Sequence, residues 1–189
     1  LGSFDISGHL DGAIVILLAP EEKVRQLTDK PVWIKGIGWA TDTPNLDSRL
    51  AGQGSALYAQ LAARKAYAMA GIQTPYNQID FAEIDDTFTY KELQHLEALQ
   101  LCGPGQAAHL LEQGCFAATG NLPVNISGGS LGVGYLHEAN GLHRVMETVM
   151  QLRGEAGKMQ LPGVETGLAF AWRGIPTATG TAVILSNKH

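Results

Sequence analysis

The chain has 189 residues, 45% of them hydrophobic, which suffices for one domain with a buried core and excludes a disordered protein. Its formal net charge of −5 argues against binding to nucleic acid, because that binding relies on clustered Lys and Arg. No apolar run reaches the roughly 18 residues of a membrane helix, so no membrane contact is predicted. Two cysteines, Cys102 and Cys115, do not make a disulfide framework, and no segment resembles a secretion signal. We therefore expect a cytoplasmic protein whose two cysteines serve in packing.

Five segments are predicted to be β-strands, because each is short, rich in β-branched and aromatic residues, and bounded by Gly, Pro or Asp. They are residues 13–19, 32–39, 79–84, 164–172 and 181–185. Helical spacing predicts helices at residues 21–27, 55–70, 89–101, 107–113 and 139–153. This alternation favours an α/β domain with a mixed five-stranded sheet and helices on both faces.

Three of these helices carry further signals. The helix at 55–70 is rich in Ala, which suits close packing on more than one side. The helix at 89–101 starts with a capping-box pattern that runs from Thr89 to Glu92. The helix at 139–153 is amphipathic, and Arg144 falls outside its apolar stripe. That stripe is formed by Leu142, Val145, Met146, Val149 and Leu152.

The most informative segment is the glycine-rich run at residues 125–141, which leads directly into the last helix. Glycines before a helix let the backbone approach a ligand closely, with unpaired helix N–H groups facing it. The run from Gly132 begins a dinucleotide-binding pattern, but His137 occupies the last position and no strand directly precedes the loop. A nucleotide site is therefore not favoured. No zinc-type spacing of Cys and His occurs, so no metal is predicted.

The glycine-rich run resembles the C-terminal signature of thiolases, which reads N-P-S-G-G, then G-H-P, and then a helix that ends in Q-L-R-G-E-A-G. Residues 151–157 have this last sequence, and residues 11–13, 33–41 and 81–89 continue the likeness in family order. The resemblance is to the archaeal and sterol-carrier-like branch, which is acetyl-CoA acetyltransferase-like. It implies thiolase-like α/β/α layers, with residues 1–189 as a single C-terminal domain. The N-terminal half of a thiolase is missing from this sequence, and the lack of an initial Met fits a chain that begins inside a larger fold.

The resemblance also implies which residues form the site. The residues expected to shape the pocket for the thioester end of an acyl-CoA substrate are Asn125, Ser127, Gly128, Gly129 and Gly134.

The expected catalytic positions hold unusual residues. Tyr135 stands where the G-H-P histidine of a thiolase activates the nucleophile. Asp85 stands at the position that orders an oxyanion-hole water, and Thr87 and Trp172 replace two cysteines of the family motifs. Tyrosine has an unperturbed pKa near 10, and Asp85 brings negative charge where an enolate would develop. Standard thiolase turnover by these residues is therefore not expected.

Three hypotheses remain for this altered site. Tyr135 is a catalytic acid/base for carbon–carbon cleavage, because some thiolase-like steroid side-chain aldolases are similar in carrying tyrosine at this position. Alternatively, His137 has taken over the role of the missing histidine, with Glu138 orienting its imidazole. In the third hypothesis the site is inactive, and Asp85 is an ordinary turn residue at the end of a strand.

The predicted function is thus that of a thiolase-like protein acting on acyl-CoA thioesters, either as an acyltransferase or as an aldolase-type carbon–carbon lyase. The alternative is a non-catalytic subunit that scaffolds an acyl-CoA enzyme complex. Coenzyme A enters only as part of the substrate, and no separate cofactor is predicted. The resemblance implies a thiolase N-terminal half, a homo-oligomer and a small zinc-ribbon/OB-fold protein as partners. Asp42, Asp47 and Arg49 lie in the loop where thiolases often hold dimer contacts.

Overall fold

The sheet is mixed and has four strands. The computed structural model describes residues 1–42, 56–174 and 178–189, so Asp47 and Arg49 lie outside the described residues. The strands are β1 (Trp33–Thr41), β2 (Phe81–Glu83), β3 (Thr166–Arg173) and β4 (Thr179–Ser186). Their spatial order is β1-β4-β3-β2, with β2 parallel to β3 and the other two pairs antiparallel. Four of the five predicted strands are confirmed, with bounds that differ by a few residues.

The helices follow the predicted order. None of those described combines the length and the apolar character needed to cross a lipid bilayer. They are α1 (Glu21–Leu27), α2 (Leu57–Ala70), α3 (Pro75–Gln78), α4 (Thr89–Ala98), α5 (Ala107–Glu112), α6 (Gly129–Val133) and α7 (Asn140–Arg153). Short 3₁₀ turns occur at Ser3–Asp5, His137–Ala139 and Gly157–Met159.

One face of the sheet is covered by α2, as its Ala-rich sequence predicts. Ala59, Ala62 and Ala66 are 0% exposed. They face β1 at Gly36 and Gly38, where the two backbones come so close that a Cβ on Gly38 would collide with the Ala62 carbonyl. Small residues on both elements therefore set the distance between the helix and the sheet.

The other face of the sheet is covered by α7, which completes a helix–sheet–helix arrangement. Side chains alternate along β3: Leu168 belongs to the core on the α2 side, whereas a Cβ at Gly167 would meet Thr148 of α7. A second, smaller core lies on the α7 side. It consists of Phe81, Ile126, Leu152, Leu161 and Leu185.

The orientation of α7 is opposite to the one that is usual for an amphipathic surface helix. Its polar residues Arg144, Thr148 and Gln151 are 0%, 0% and 3% exposed. In contrast, Leu142 from the apolar stripe is 47% exposed, and Val145 is only half-buried. The helix therefore turns its hydrogen-bonding side chains toward the domain and leaves part of its apolar stripe exposed.

The prediction of a strand at residues 13–19, and with it a sheet of five strands, is wrong. This segment joins no sheet in the described part of the chain, so the sheet has four strands. Ile14 and Ile16 are half-buried whereas Val15 and Leu17 are 85% and 92% exposed, which is the alternation of an extended strand. The sequence has the pattern of a strand, but no strand among the described residues offers it backbone hydrogen bonds.

A large apolar groove lies between this segment, the sheet and the apolar stripe of α7. Its volume is about 810 Å³, and we call it the α7 groove. A groove lined mainly by apolar side chains is a candidate for an interface. Its apolar lining includes Ile14, Ile16, Ile34, Ile37, Val145 and Val149.

We predict that Gly38→Ala lowers the free energy of unfolding by about 1–3 kcal/mol, because the added methyl group must push α2 away from β1. Urea unfolding followed by circular dichroism measures the change. Gly132→Ala is the matched control, because nothing lies within 4 Å of a Cβ at that position. An equal effect of the two substitutions would show that the contact of α2 with β1 is not tight.

Candidate functional site

The glycine-rich segment is held against the end of β2 by Asp86. The Asp86 carboxylate accepts hydrogen bonds from the backbone N–H of Ser130 at 2.6 Å and of Leu131 at 3.2 Å. Gly129, with φ of +61°, passes so close to this carboxylate that a Cβ would collide with it. Only glycine therefore permits this approach. Asp86 satisfies two N–H groups of the first turn of α6 that have no partner within the helix.

The residues before α6 bind two further acidic side chains, the buried Glu83 and the partly buried Glu92. The backbone N–H and the hydroxyl of Ser127 donate to Glu83 at 3.1 and 2.6 Å. The side chain of Asn125 donates to Glu92 at 2.9 Å and accepts from the backbone N–H of Ile84 at 2.7 Å. The polar atoms of Asn125 and Ser127 thus engage protein partners, so these two residues shape the loop. Of the remaining predicted pocket residues, Gly128 is exposed and Gly134 is buried.

Arg144 of α7 lies between the carboxylates of Glu83 and Asp86. Its side chain is 0% exposed, and its guanidinium lies 3.6 Å from the Glu83 carboxylate and 3.4 Å from the Asp86 carboxylate. It also donates a short hydrogen bond to the hydroxyl of Ser130. One buried cation therefore ties β2, α6 and α7 together, and it compensates carboxylates that would be costly to bury alone.

Asp85, one of the predicted catalytic residues, follows β2 and is 0% exposed. Its carboxylate accepts hydrogen bonds from the Asn140 side chain and the Thr87 backbone N–H, both at 3.2 Å. Burial raises the pKa of the Asp85 carboxyl, while Arg144 opposes the rise. The same cause raises the pKa of the Glu83 carboxyl.

Tyr135 is half-buried directly after Gly134. Its backbone is fixed by hydrogen bonds to the N-terminal segment, from its own N–H to the Gly8 carbonyl at 2.7 Å and from the Leu10 N–H to its carbonyl at 3.0 Å. Burial raises the pKa of the Tyr135 phenol, and the charges of Asp85 and Glu138 add to this rise. At neutral pH its hydroxyl is therefore protonated and available as a hydrogen-bond donor.

His137 is brought near Tyr135, with the ring centres 5.2 Å apart. Its exposed imidazole stacks on His9 at 4.8 Å between ring centres, and its φ of +50° is uncommon for a residue with a side chain. The carboxylate of Glu138 lies 3.4 Å from the guanidinium of Arg173. The imidazole of His137 is therefore oriented by stacking on His9, whereas Glu138, which was expected to orient it, pairs with Arg173.

The two cysteines are free, and both are half-buried. Burial raises the pKa of the Cys102 thiol to about 11, so this thiol stays protonated and is a poor nucleophile. Across the described residues, no three His, Cys, Asp or Glu side chains come together in a group that could hold a metal ion.

The sequence analysis missed several residues that build this site. Arg144 was placed on a polar face of its helix, yet it is wholly buried. Glu92 was assigned to a capping box with Thr89, but it binds Asn125, and the Thr89 hydroxyl donates to Asp5 at 3.1 Å. One signal was available: Glu83 lies inside a strand that is otherwise apolar, and a buried carboxylate requires a cationic partner.

We predict that Arg144→Met lowers the free energy of unfolding by about 3–5 kcal/mol, because it leaves the Glu83 and Asp86 carboxylates without their buried cation. Arg153→Met on the same helix is the control, because Arg153 donates only one exposed hydrogen bond, to the Lys30 carbonyl. Thermal and urea unfolding measure both variants. Equal stabilities of the two would contradict a structural role for the buried cation.

We also predict a pH dependence from Glu92, whose pKa is raised from 4.5 to about 7 by burial and by the charge of Asp86. Between these pH values the folded protein keeps a proton that the unfolded chain releases, so the free energy of unfolding falls as the pH rises. Glu92→Gln should remove this part of the slope, because a neutral amide still accepts from Asn125. Urea unfolding from pH 4.5 to 7 measures the slope. The exposed Glu112→Gln is the control, and an unchanged slope in Glu92→Gln would refute the assignment.

Comparison with known proteins gives several relatives. The chain is 35% identical over 181 residues to an acetyl-CoA acetyltransferase from Methanothermobacter thermautotrophicus, covering 95% of this chain and 45% of that protein. It is 38% identical over 162 residues to human sterol carrier protein 2, covering 84% of this chain and 29% of the relative. It is 33% identical over 177 residues to the 17-hydroxy-3-oxo-4-pregnene-20-carboxyl-CoA lyase of Mycobacterium tuberculosis, covering 92% of this chain and 44% of the relative. The chain thus spans less than half the length of each of these relatives.

A solved structure with the same fold is described as a Ltp2-ChsH2(DUF35) aldolase. It superposes with a TM-score of 0.75 and 28% identity, over 88% of this chain and 42% of that one. Residues 45–187 match the family described as thiolase C-terminal domain-like, which is most of the chain. The sequence motifs, the sheet with its two helical layers and these matches agree, and the chain belongs to the thiolase C-terminal domain-like family.

Proposed function

We propose that this chain is part of an enzyme that acts on acyl-CoA thioesters, and that its reaction is carbon–carbon cleavage of the aldolase type. The observation that carries the proposal is Tyr135, which follows the glycine-rich segment and lies within the electrostatic influence of Asp85. Two of the similar proteins are named as a lyase and an aldolase, which supports the same reaction class.

The proposed reaction needs one group that accepts and returns a proton. The Tyr135 phenolate takes the proton of a β-hydroxyl group, the adjacent carbon–carbon bond breaks, and its electrons form the enolate of the shortened acyl-CoA. The Tyr135 phenol then returns the proton to the α-carbon. Because burial raises the pKa of Tyr135, only a small fraction is phenolate at neutral pH, and the rate should increase as the pH rises.

Acyl transfer is less well supported. It requires a base such as thiolate or imidazole near neutral pH, and the corresponding positions hold Tyr135, Thr87 and Trp172. Aldol cleavage forms no acyl-enzyme intermediate, so it is compatible with these replacements.

The glycine-rich segment is the proposed surface for the thioester end of the substrate. Its backbone is rigidly attached to Glu83 and Asp86, and the exposed Gly128 leaves room for a ligand beside it. Coenzyme A would be bound only as part of the substrate.

A thiolase N-terminal half is the proposed partner on the α7 groove. The apolar stripe of α7 lines this groove, and residues 13–19 have the strand alternation without a neighbouring strand in the described ranges 1–42, 56–174 and 178–189. An added half would supply both the missing strand contact and the cover for the apolar surface. Further association as a cytoplasmic homo-oligomer, and with a zinc-ribbon/OB-fold protein, belongs to the same proposal.

A second candidate function is a non-catalytic subunit that scaffolds an acyl-CoA enzyme complex. The observation that favours it is the complete burial of Asp85, whose carboxylate is engaged by Asn140 and Thr87 in the manner of a structural residue. Binding of acyl-CoA by the purified complex without any turnover would support this candidate.

We predict that Tyr135→Phe lowers the cleavage rate by about 10²-fold or more, because phenylalanine cannot accept or return a proton. The assay uses the complex purified from its own cells with a panel of 3-hydroxyacyl-CoA thioesters, and it measures the released carbonyl compound and the shortened acyl-CoA. Tyr76→Phe is the control, because Tyr76 packs against the core on the α2 side. Unchanged turnover in Tyr135→Phe would refute the role of Tyr135, and no turnover in the unmodified complex would refute the lyase activity.

A further inference from the structure

A chain of hydrogen bonds connects the backbone of Asp85 with the side chain of Lys91. It starts at His95 of α4, which is 0% exposed and whose Nδ1 lies 2.8 Å from the Asp85 carbonyl oxygen. The Nε2 of the same ring lies 3.0 Å from the hydroxyl of Tyr58 on α2. The Nζ of Lys91 donates to this hydroxyl at 3.2 Å. The side chains of His95 and Tyr58 thus connect the backbone of Asp85 with the ammonium group of Lys91.

The direction of every hydrogen bond in this chain is determined. A carbonyl oxygen only accepts, so the proton of the neutral His95 ring is on Nδ1 and its Nε2 accepts. The Tyr58 hydroxyl must therefore donate to His95, which leaves its oxygen to accept from Lys91. Burial lowers the pKa of His95 to about 3, so the ring is neutral as this arrangement requires. Lys91 is consequently held by a series of hydrogen bonds in which Lys91 donates to Tyr58, Tyr58 donates to His95, and His95 donates to the carbonyl of Asp85.

The ammonium group of Lys91 is surrounded by aromatic rings. It lies 4.5 Å from the ring centre of Trp172 and 5.5 Å from those of Tyr58 and Tyr90. The ammonium group of Lys91 also donates a hydrogen bond to the side-chain oxygen of Gln94 at 2.9 Å. Ring faces attract a cation, and the attraction grows when the cation is partly desolvated. Trp172 is the residue that replaces a family cysteine, so the cation stands at the altered part of the site.

Lys91 also interacts with the charge of Asp85. Burial lowers the pKa of Lys91, and the carboxylate of Asp85 opposes this shift and favours the charged ammonium. The same carboxylate raises the pKa of both Tyr58 and Tyr135. Asp85 therefore interacts electrostatically with Lys91, Tyr58 and Tyr135, and Lys91 is a second cation in this environment besides Arg144.

We propose that Lys91 supplies the positive charge that stabilises the enolate of an acyl-CoA substrate at this site, and that Tyr58 and His95 are its positioning residues. The inference rests on the proposed function. An ammonium group held in a fixed position near the enolate oxygen would stabilise its negative charge without any reorganisation. No proton is transferred by Lys91 in this role, and Tyr135 remains the group that exchanges the proton.

The test measures enolate formation directly. The complex purified with its partner half is incubated with propionyl-CoA in D₂O, and deuterium incorporation at the α-carbon is followed by mass spectrometry. We expect Lys91→Ala to slow the exchange by at least about 10-fold with little change in KM, because only the charge at the enolate is lost. Added methylammonium should restore part of the rate, and Lys91→Arg should retain most of it. Tyr58→Phe should lower the rate by a smaller factor, because Lys91 loses its anchor.

The chain provides a matched control in Lys65. Its ammonium lies 5.5 Å from the ring centre of Trp39 and donates to the Trp39 carbonyl at 2.8 Å, so it is a second lysine over a tryptophan. Lys65→Ala should leave the exchange unchanged. Exchange at the unmodified rate in Lys91→Ala would overturn the role of Lys91, and so would a loss that neither methylammonium nor Lys91→Arg restores. Absence of exchange in the unmodified complex would instead overturn the proposed function.

Discussion

The structure depends on one buried cation. Arg144 is wholly enclosed, and its guanidinium reaches Glu83 at the end of β2, Asp86 just beyond it, and Ser130 in α6. Without that charge the two carboxylates would be strongly unfavourable in the interior, and the glycine-rich segment would lose the acceptors that hold its N–H groups. The position of the candidate site is thus fixed by an electrostatic contact between α7 and β2, and the apolar cores on either side of the sheet pack around it.

The same helix explains why the domain has an incompletely buried surface. Because the polar side of α7 is committed to Arg144, Thr148 and Gln151, much of its apolar stripe points into the α7 groove. The extended segment 13–19 borders this groove, and in the part of the chain that the structure describes it has no strand beside it. The apolar lining of this groove makes it a candidate surface for association with further protein.

The candidate site contains residues that are individually unfavourable for thiolase chemistry but that interact electrostatically with one another. Tyr135 offers a protonated hydroxyl, and Asp85 offers a buried carboxyl whose charge influences the groups around it. Lys91 adds a second cation besides Arg144, and its ammonium group lies over the ring of Trp172. The arrangement therefore contains a phenol, a buried carboxyl group and an ammonium group, to which the proposed reaction through an enolate assigns its proton transfer and charge stabilisation.

The sequence by itself determined the family, four of the five predicted strands, the helix order and the glycine-rich segment, because these follow from local patterns and motif spacing. It could not show that 13–19 would remain without a strand partner, since strand pairing is a contact between distant segments. It also could not show that Arg144 is buried or that Glu92 binds Asn125, because helical spacing defines faces but does not say which face meets the interior. Only the tertiary structure decided these points, since burying a charge is favourable only where a partner from elsewhere in the chain compensates it.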